Sequence, residues 1–227
     1  MKARITQIQN RIAAAAESCG RSPDEVKLVA VSKTNPVASI KQALDAGLQL
    51  FGENYIQEAR EKFNALAASP AQWHFIGHLQ SNKAKYAVRM FDLIHTVDSE
   101  KLARELNKQA AKIGKVQSVL VQVNIAGESS KSGASREATI NLATAVGTLD
   151  NLSLRGLMTI PPFFNSPEKV RPYFQELRRL RDHIRSLAIP GVAMDELSMG
   201  MTGDFEAAIA EGATLVRIGT AIFGERA

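Results

Sequence analysis

The stretch Val26-Lys27-Leu28-Val29-Ala30-Val31-Ser32-Lys33 decides the fold. It is rich in β-branched and apolar residues, the pattern of a strand buried on both faces within a parallel sheet. The run stops at Thr34-Asn35-Pro36, so its last residue is a lysine at the C-terminal edge of the strand. An amine at the mouth of an apolar barrel is partly desolvated, which favours its neutral, nucleophilic form near pH 7. That placement suits imine formation. The other reading is a lysine that snorkels from a strand end into water.

Moving outward, short β-branched runs alternate with helical stretches. The further strands are Leu48 to Phe51, Trp73 to Ile76, Leu93 to Val97, Ser118 to Asn124, Leu152 to Met158, a weak run from Ala193 to Ser198, and Thr214 to Ile218. Helices are expected over 36–46, 54–67, 82–89, 99–112, 135–149, 166–187 and 204–211, several opened by caps or early prolines such as Asp98-Ser99 and Ser166-Pro167-Glu168. Eight strands joined by helices close as a TIM (β/α)8 barrel, here preceded by an amino-terminal helix. An open doubly wound sheet is the alternative. The barrel is favoured because polar and glycine residues recur at the C-terminal end of nearly every strand, whereas an open sheet gathers them near one switch point.

The 227 residues suit one domain spanning 1–227, with no stretch that reads as a linker. A hydrophobic fraction of 45% and a charged fraction of 22% are those of an ordinary globular chain. With no signal core and no apolar run of membrane-spanning length, the expected place is the cytoplasm, away from membranes. The single Cys19, near the end of the first helix, excludes an internal disulfide and a cysteine metal cluster, and reads as a small packing residue. The net charge of +5 is scattered rather than gathered in a block. Its densest cluster, Arg178-Arg179-Leu180-Arg181 with Arg185, reads as a solvated helix face, and the aromatic interleaving of a nucleic-acid platform is missing.

The last two strand ends carry Leu197-Ser198-Met199-Gly200-Met201-Thr202-Gly203-Asp204 and Val216-Arg217-Ile218-Gly219-Thr220. TIM barrels commonly hold a phosphate there, where glycines admit the ligand, Ser198 and Thr220 offer hydroxyls, and a short helix offers free amides. Plain turn chemistry is the alternative for either motif alone. Arg217, inside an apolar strand, is expected to point inward and to need an acceptor, either a ligand atom or a structural carboxylate. Asn54 could contact a ring hydroxyl, and Met158 or Ile160 could wall a flat ring. His78 reads as a general base or as a structural residue, and Glu128-Ser129-Ser130-Lys131-Ser132-Gly133 as a polar loop of open role. No metal-ligand spacing occurs.

Taken together, Ala30-Val31-Ser32-Lys33-Thr34, Phe51-Gly52-Glu53-Asn54, Trp73-His74-Phe75-Ile76-Gly77, Leu197-Ser198-Met199-Gly200-Met201 and Val216-Arg217-Ile218-Gly219-Thr220 resemble the pyridoxal phosphate homeostasis family nearly end to end. More distantly they are similar to the barrel domain of alanine racemase, of the fold-type III group. The resemblance implies pyridoxal 5'-phosphate (PLP) held as a Schiff base on Lys33, its phosphate cradled by Ser198, Gly200, Gly219 and Thr220, and Arg217 facing the pyridine nitrogen. Thr202-Gly203-Asp204 stands where the family more commonly has Ser-Asp-Asp, so the hydroxyl survives as Thr202. An arginine at the ring nitrogen weakens the electron sink, and racemases borrow a tyrosine from a further domain. Here Tyr55, Tyr86 and Tyr173 all fall in expected helices. The implied protein is therefore a monomeric, non-catalytic PLP carrier, in possible transient contact with PLP-dependent apoenzymes. A racemase-like enzyme, or an aldolase-like Schiff-base enzyme without PLP, is the alternative.

Overall fold

The computed structural model describes residues 1–128, 132–162, 164 and 166–224. Its strands are β1 (Lys27–Val31), β2 (Leu50–Glu53), β3 (Gln72–Phe75), β4 (Leu93–Val97), β5 (Gln117–Gln122), β6 (Leu152–Met158), β7 (Val192–Ser198) and β8 (Leu215–Ile218). They pair in chain order into a closed parallel barrel, with β8 returning to β1 through Lys27 opposite Leu215 and Ala30 opposite Ile218. The helices are α1 (Lys2–Ser18), α2 (Val37–Asp45), α3 (Ile56–Ala65), α4 (Ala84–Met90), α5 (Glu100–Ala111), α6 (Arg136–Gly147), α7 (Pro167–Ser186), α8 (Phe205–Ala210) and α9 (Thr220–Phe223). This is the expected TIM barrel, and α1 packs against α8 and α9.

Strand pleating sorts the side chains into two cores. Val29, Leu93, Leu120, Met158 and Leu215 form a small cluster inside the barrel. Their neighbours Ala30, Phe51, Ile94, Val119 and Val216 point outward into the large layer shared with the helices. Neither layer faces water, so the strands carry long apolar runs instead of a strict alternation.

Several boundaries differ from the sequence pattern for identifiable reasons. β1 ends at Val31, and Lys33 lies two residues beyond it in a turn. The ladder reaches one step further, with Ser32 N donating to Gly52 O at 3.0 Å, before Thr34 turns the chain at φ 63°. β2 begins at Leu50 rather than Leu48, because the end of α2 takes Leu48. Gly47 adopts φ 95°, and the Leu48 amide closes back on Ala43 O at 3.0 Å. β5 stops at Gln122, leaving Val123 a single bridge to Ala134. The weak run before Ser198 is a full seven-residue strand. Tyr55 is the extended N-cap of α3 instead of a helical residue, and Cys19 is exposed at the end of α1 instead of packed.

Two glycines are required by close approach, to different degrees. A Cβ on Gly156 would stand 1.9 Å from the Glu196 carbonyl oxygen, backbone against backbone where β6 meets β7. A Cβ on Gly52 would stand 2.9 Å from a Val29 methyl, which can move. Gly156→Ala should therefore cost about 3 kcal/mol or more and Gly52→Ala about 1 to 2 kcal/mol, read as shifts in the urea unfolding midpoint.

Candidate functional site at the barrel mouth

Polar groups converge at the C-terminal end of the barrel. A cavity of about 240 Å³ is lined there by Asn54, Ile76, Gly77, His78, Gln122, Ser132 and Ile160. Gly77 lies so close to Asn54 that a Cβ would fall 2.1 Å from the Asn54 carbonyl oxygen, which brings the ends of β2 and β3 together. The buried Asn54 Oδ1 has no hydrogen-bond partner among the described residues, which leaves an acceptor for a ligand. Ile160 supplies apolar wall to this cavity, while Met158 is fully buried in the inner cluster beneath. Exposed His78 lies 3.9 Å from Asp98, too far for a hydrogen bond. Residues 129–131 of the polar loop fall outside the described residues.

Behind the mouth, a buried ionic cluster holds the turn that bears Lys33. Lys62 on α3 is 3% exposed, and its ammonium donates to Ser32 O at 2.7 Å, to Glu53 Oε1 at 2.8 Å and to Glu58 Oε1. Ser32 Oγ donates to the same Glu53 oxygen at 2.5 Å, and Glu58 Oε1 accepts the Thr34 amide at 2.5 Å. Thr34 is β-branched and sits in the left-handed region, a conformation that persists only when its surroundings impose it. Here the imposing contact is the carboxylate that Lys62 anchors. Burial pushes the Glu53 carboxyl up, against the pull of Lys62 and Ser32, and its Oε2 has no partner among the described residues.

Strand register brings the glycine motifs to this turn. Because Ala30 pairs with Ile218, Val31 lies beside Gly219, whose Cβ would come within 3.2 Å of the Val31 carbonyl oxygen. Lys33 follows two residues past that contact, and Gly219 leads into the exposed Thr220, where the first amides of α9 have no intrahelical partner. Gly200, at φ 91° with its Cβ position 2.6 Å from Ala208 Cβ, accepts the Arg217 amide at 3.0 Å and so ties the β7 loop to β8. Met201 N donates to Asp204 Oδ1 at 2.6 Å, fixing the turn that carries half-buried Thr202.

Arg217 does point inward, at 4% exposure. Its Nη1 donates to Ser198 Oγ at 2.5 Å and its Nη2 to Thr159 O at 2.8 Å, and among the described residues it makes no ion pair. Burial lowers it to about 10, still a cation at neutral pH. Ser198 is fully buried, and its Oγ lies 2.9 Å from His95 Nδ1; His95 Nε2 in turn lies 2.9 Å from His74 Nδ1. Burial holds His74 at about 3 and His95 well below the ordinary imidazole value, so both are neutral. Neither histidine stands out as a site residue in the sequence. The available signal was parity, since His74 and His95 occupy inward positions between outward Trp73, Phe75 and Ile94.

A family model described as "Alanine racemase, N-terminal domain" matches residues 4–227. A relative from Aquifex aeolicus (strain VF5), described as "Pyridoxal phosphate homeostasis protein", is 46% identical over 223 residues, covering 98% of this chain and 97% of its own length. A relative of the same description from Escherichia coli (strain K12) is 46% identical over 225 residues, covering 98% and 95%. The solved structure of PipY from Synechococcus elongatus PCC7942 with PLP bound superposes with a TM-score of 0.83 at 36% identity, covering 94% of this chain and 100% of that one.

The ionic cluster makes a testable demand. Lys62→Met leaves Glu53 and Glu58 without their ammonium, which should cost about 3 to 5 kcal/mol of stability at pH 8. A carboxyl raised in the folded state binds its proton more tightly than in the unfolded chain, so stability falls as pH climbs from the unfolded carboxylate value through the folded one. Losing Lys62 raises Glu53 further. The deficit against wild type should therefore be smaller at pH 5 than at pH 8, measured by denaturant titration at both.

Proposed function

The chain belongs to the pyridoxal phosphate homeostasis family, within the alanine racemase N-terminal domain group, and from that membership we propose that it binds PLP at the barrel mouth as a carrier without turnover. The observation that supports this most is the register of β1 on β8, which sets Val31 beside Gly219, two residues before Lys33, on the strand that carries the buried guanidinium of Arg217. The donor set suits the group: a lysine amine, a glycine-lined cradle of backbone amides, an Asn54 oxygen with no partner among the described residues and an apolar floor ending in Met158.

When bound, PLP supplies an aldehyde that condenses with a primary amine and a pyridine ring that can draw electrons. In this reading Lys33 provides the amine. Gly200, Gly219 and Thr220 offer amides and a hydroxyl to the phosphate, with Thr202 alongside. The Ser198 hydroxyl, read from sequence as a phosphate donor, is engaged by Arg217 and His95, so its contribution is to fix Arg217. Asn54 faces the ring substituents. Arg217 only donates hydrogen bonds, so toward a ring nitrogen it favours the unprotonated state and a weak electron sink. Proton transfer at an amino-acid α-carbon also wants a sheltered base. Tyr86 and Tyr173 lie within α4 and α7, and Tyr55 at the rim is 58% exposed. Release of PLP to apoenzymes by a cytoplasmic monomer completes the proposed role. No helix among the described residues is long and apolar enough to cross a membrane.

Two measurements test it. Adding PLP should produce the visible absorbance of a pyridoxal imine in the wild type and not in Lys33→Ala. Deuterium exchange at the α-carbon of alanine should stay below about one turnover per second, the low end of ordinary enzymes. A band that survives Lys33→Ala would move the amine elsewhere, and faster exchange would make the protein an enzyme.

A further inference from the structure

Arg217, Ser198, His95 and His74 form one unbroken hydrogen-bonded chain through the barrel interior, from β8 to β7, across to β4 and on to β3. All four side chains are buried, and the two imidazole rings stand 4.9 Å apart. Each contact can hold one hydrogen, so the chain has a direction. Arg217 determines it, because a guanidinium donates and never accepts.

Ser198 Oγ receives Arg217 Nη1, which leaves the hydroxyl one hydrogen to place. If that hydrogen goes to His95 Nδ1, Ser198 and both nitrogens of His95 are satisfied: His95 carries its own hydrogen on Nε2 and gives it to His74 Nδ1, and His74 is protonated on Nε2. If the chain ran the other way, Ser198 would accept from Arg217 and from His95 together. Its hydrogen would then need a third partner. Among the described residues Ser198 Oγ has no other partner, and the side chain is fully buried, so the reversed chain strands a donor.

We propose that His95 is the positioning residue for Arg217: its Nδ1 takes the Ser198 hydrogen and so aims the Ser198 lone pair at the guanidinium, with His74 fixing the His95 tautomer from behind. The proposal rests on the PLP reading above, in which Arg217 meets the ring end of the ligand, and adds two residues to that site. The charged groups around the chain agree with it. Glu196, held by Lys27 at 2.8 Å and by Thr214 at 2.5 Å, acts on His74, and Asp204 acts on Arg217, yet burial keeps both imidazoles neutral.

The tautomers can be read without any ligand. Nitrogen-15 NMR of the imidazoles in the PLP-free protein should show His95 and His74 both protonated at Nε2 and unchanged from pH 5 to pH 9. Protonation of His95 at Nδ1, or a cationic ring in that range, would overturn the proposal. The functional arm uses PLP and pyridoxal as probes. His95→Leu should weaken both by a similar factor, about tenfold, and shift the imine band, because the ring end is disturbed and the phosphate end is not. His95→Asn places an acceptor near the Nδ1 position and should restore most of the loss, whereas His95→Gln should not. Unchanged binding and band in His95→Leu, or a loss confined to PLP, would defeat the role while leaving the PLP reading intact. Wild type that binds neither probe would defeat the PLP reading, and the NMR result would still decide the direction of the chain.

Discussion

A guanidinium enclosed by a parallel barrel must be given acceptors by the strands themselves, and that requirement organises the interior of this protein. Arg217 stays charged at neutral pH even though burial lowers it to about 10. Placing a carboxylate beside it would neutralise the charge and leave it little reason to meet a ligand. The barrel instead gives it a carbonyl, Thr159, and a hydroxyl, Ser198, whose own hydrogen passes to His95. The cation is held but not cancelled, on the strand whose backbone bonds Gly200 and runs on into Gly219. A buried positive charge of this kind is an electrostatic reason for an electron-rich ring to settle above it.

The mouth is held from the other side by charge of opposite arrangement. Lys62 lies beneath α3, outside the strand ring, and gathers Glu53, Glu58 and Ser32 around one ammonium. Through Glu58 it holds the Thr34 amide and thereby the left-handed turn next to Lys33. Two buried cations thus divide the work. In the proposed reading Arg217 faces the site from within the barrel, while Lys62 fixes from outside the backbone of the turn that carries Lys33.

The barrel was legible because its strands repeat one local signature, a short β-branched run ending in glycine or polar residues, and parallel pairing leaves few other architectures. The strand-end positions of Lys33 and Gly219-Thr220 and the inward Arg217 were legible for the same reason, as departures from an apolar run. Exact ends were not. The fate of Leu48 depends on how α2 closes, and the end of β1 on a turn that Glu58 stabilises from another helix. The histidine chain was harder still. His95 meets Ser198 only because the barrel closes, bringing β4 and β7 face to face across its interior, and no window of sequence contains that contact. Lys62 had a visible clue, a lysine in the buried Ile56, Ala59, Lys62 face of α3, but apart from Glu58 its partners lie on β2 and beyond β1.

The central claim is that Lys33, at the β1 turn beside Gly219, carries PLP. Its most direct test is borohydride reduction of the PLP-loaded protein followed by peptide mapping in the mass spectrometer. The account predicts a single pyridoxyl adduct on the peptide containing Lys33. An adduct on Lys83 or Lys62, with Lys33 unmodified, would contradict it.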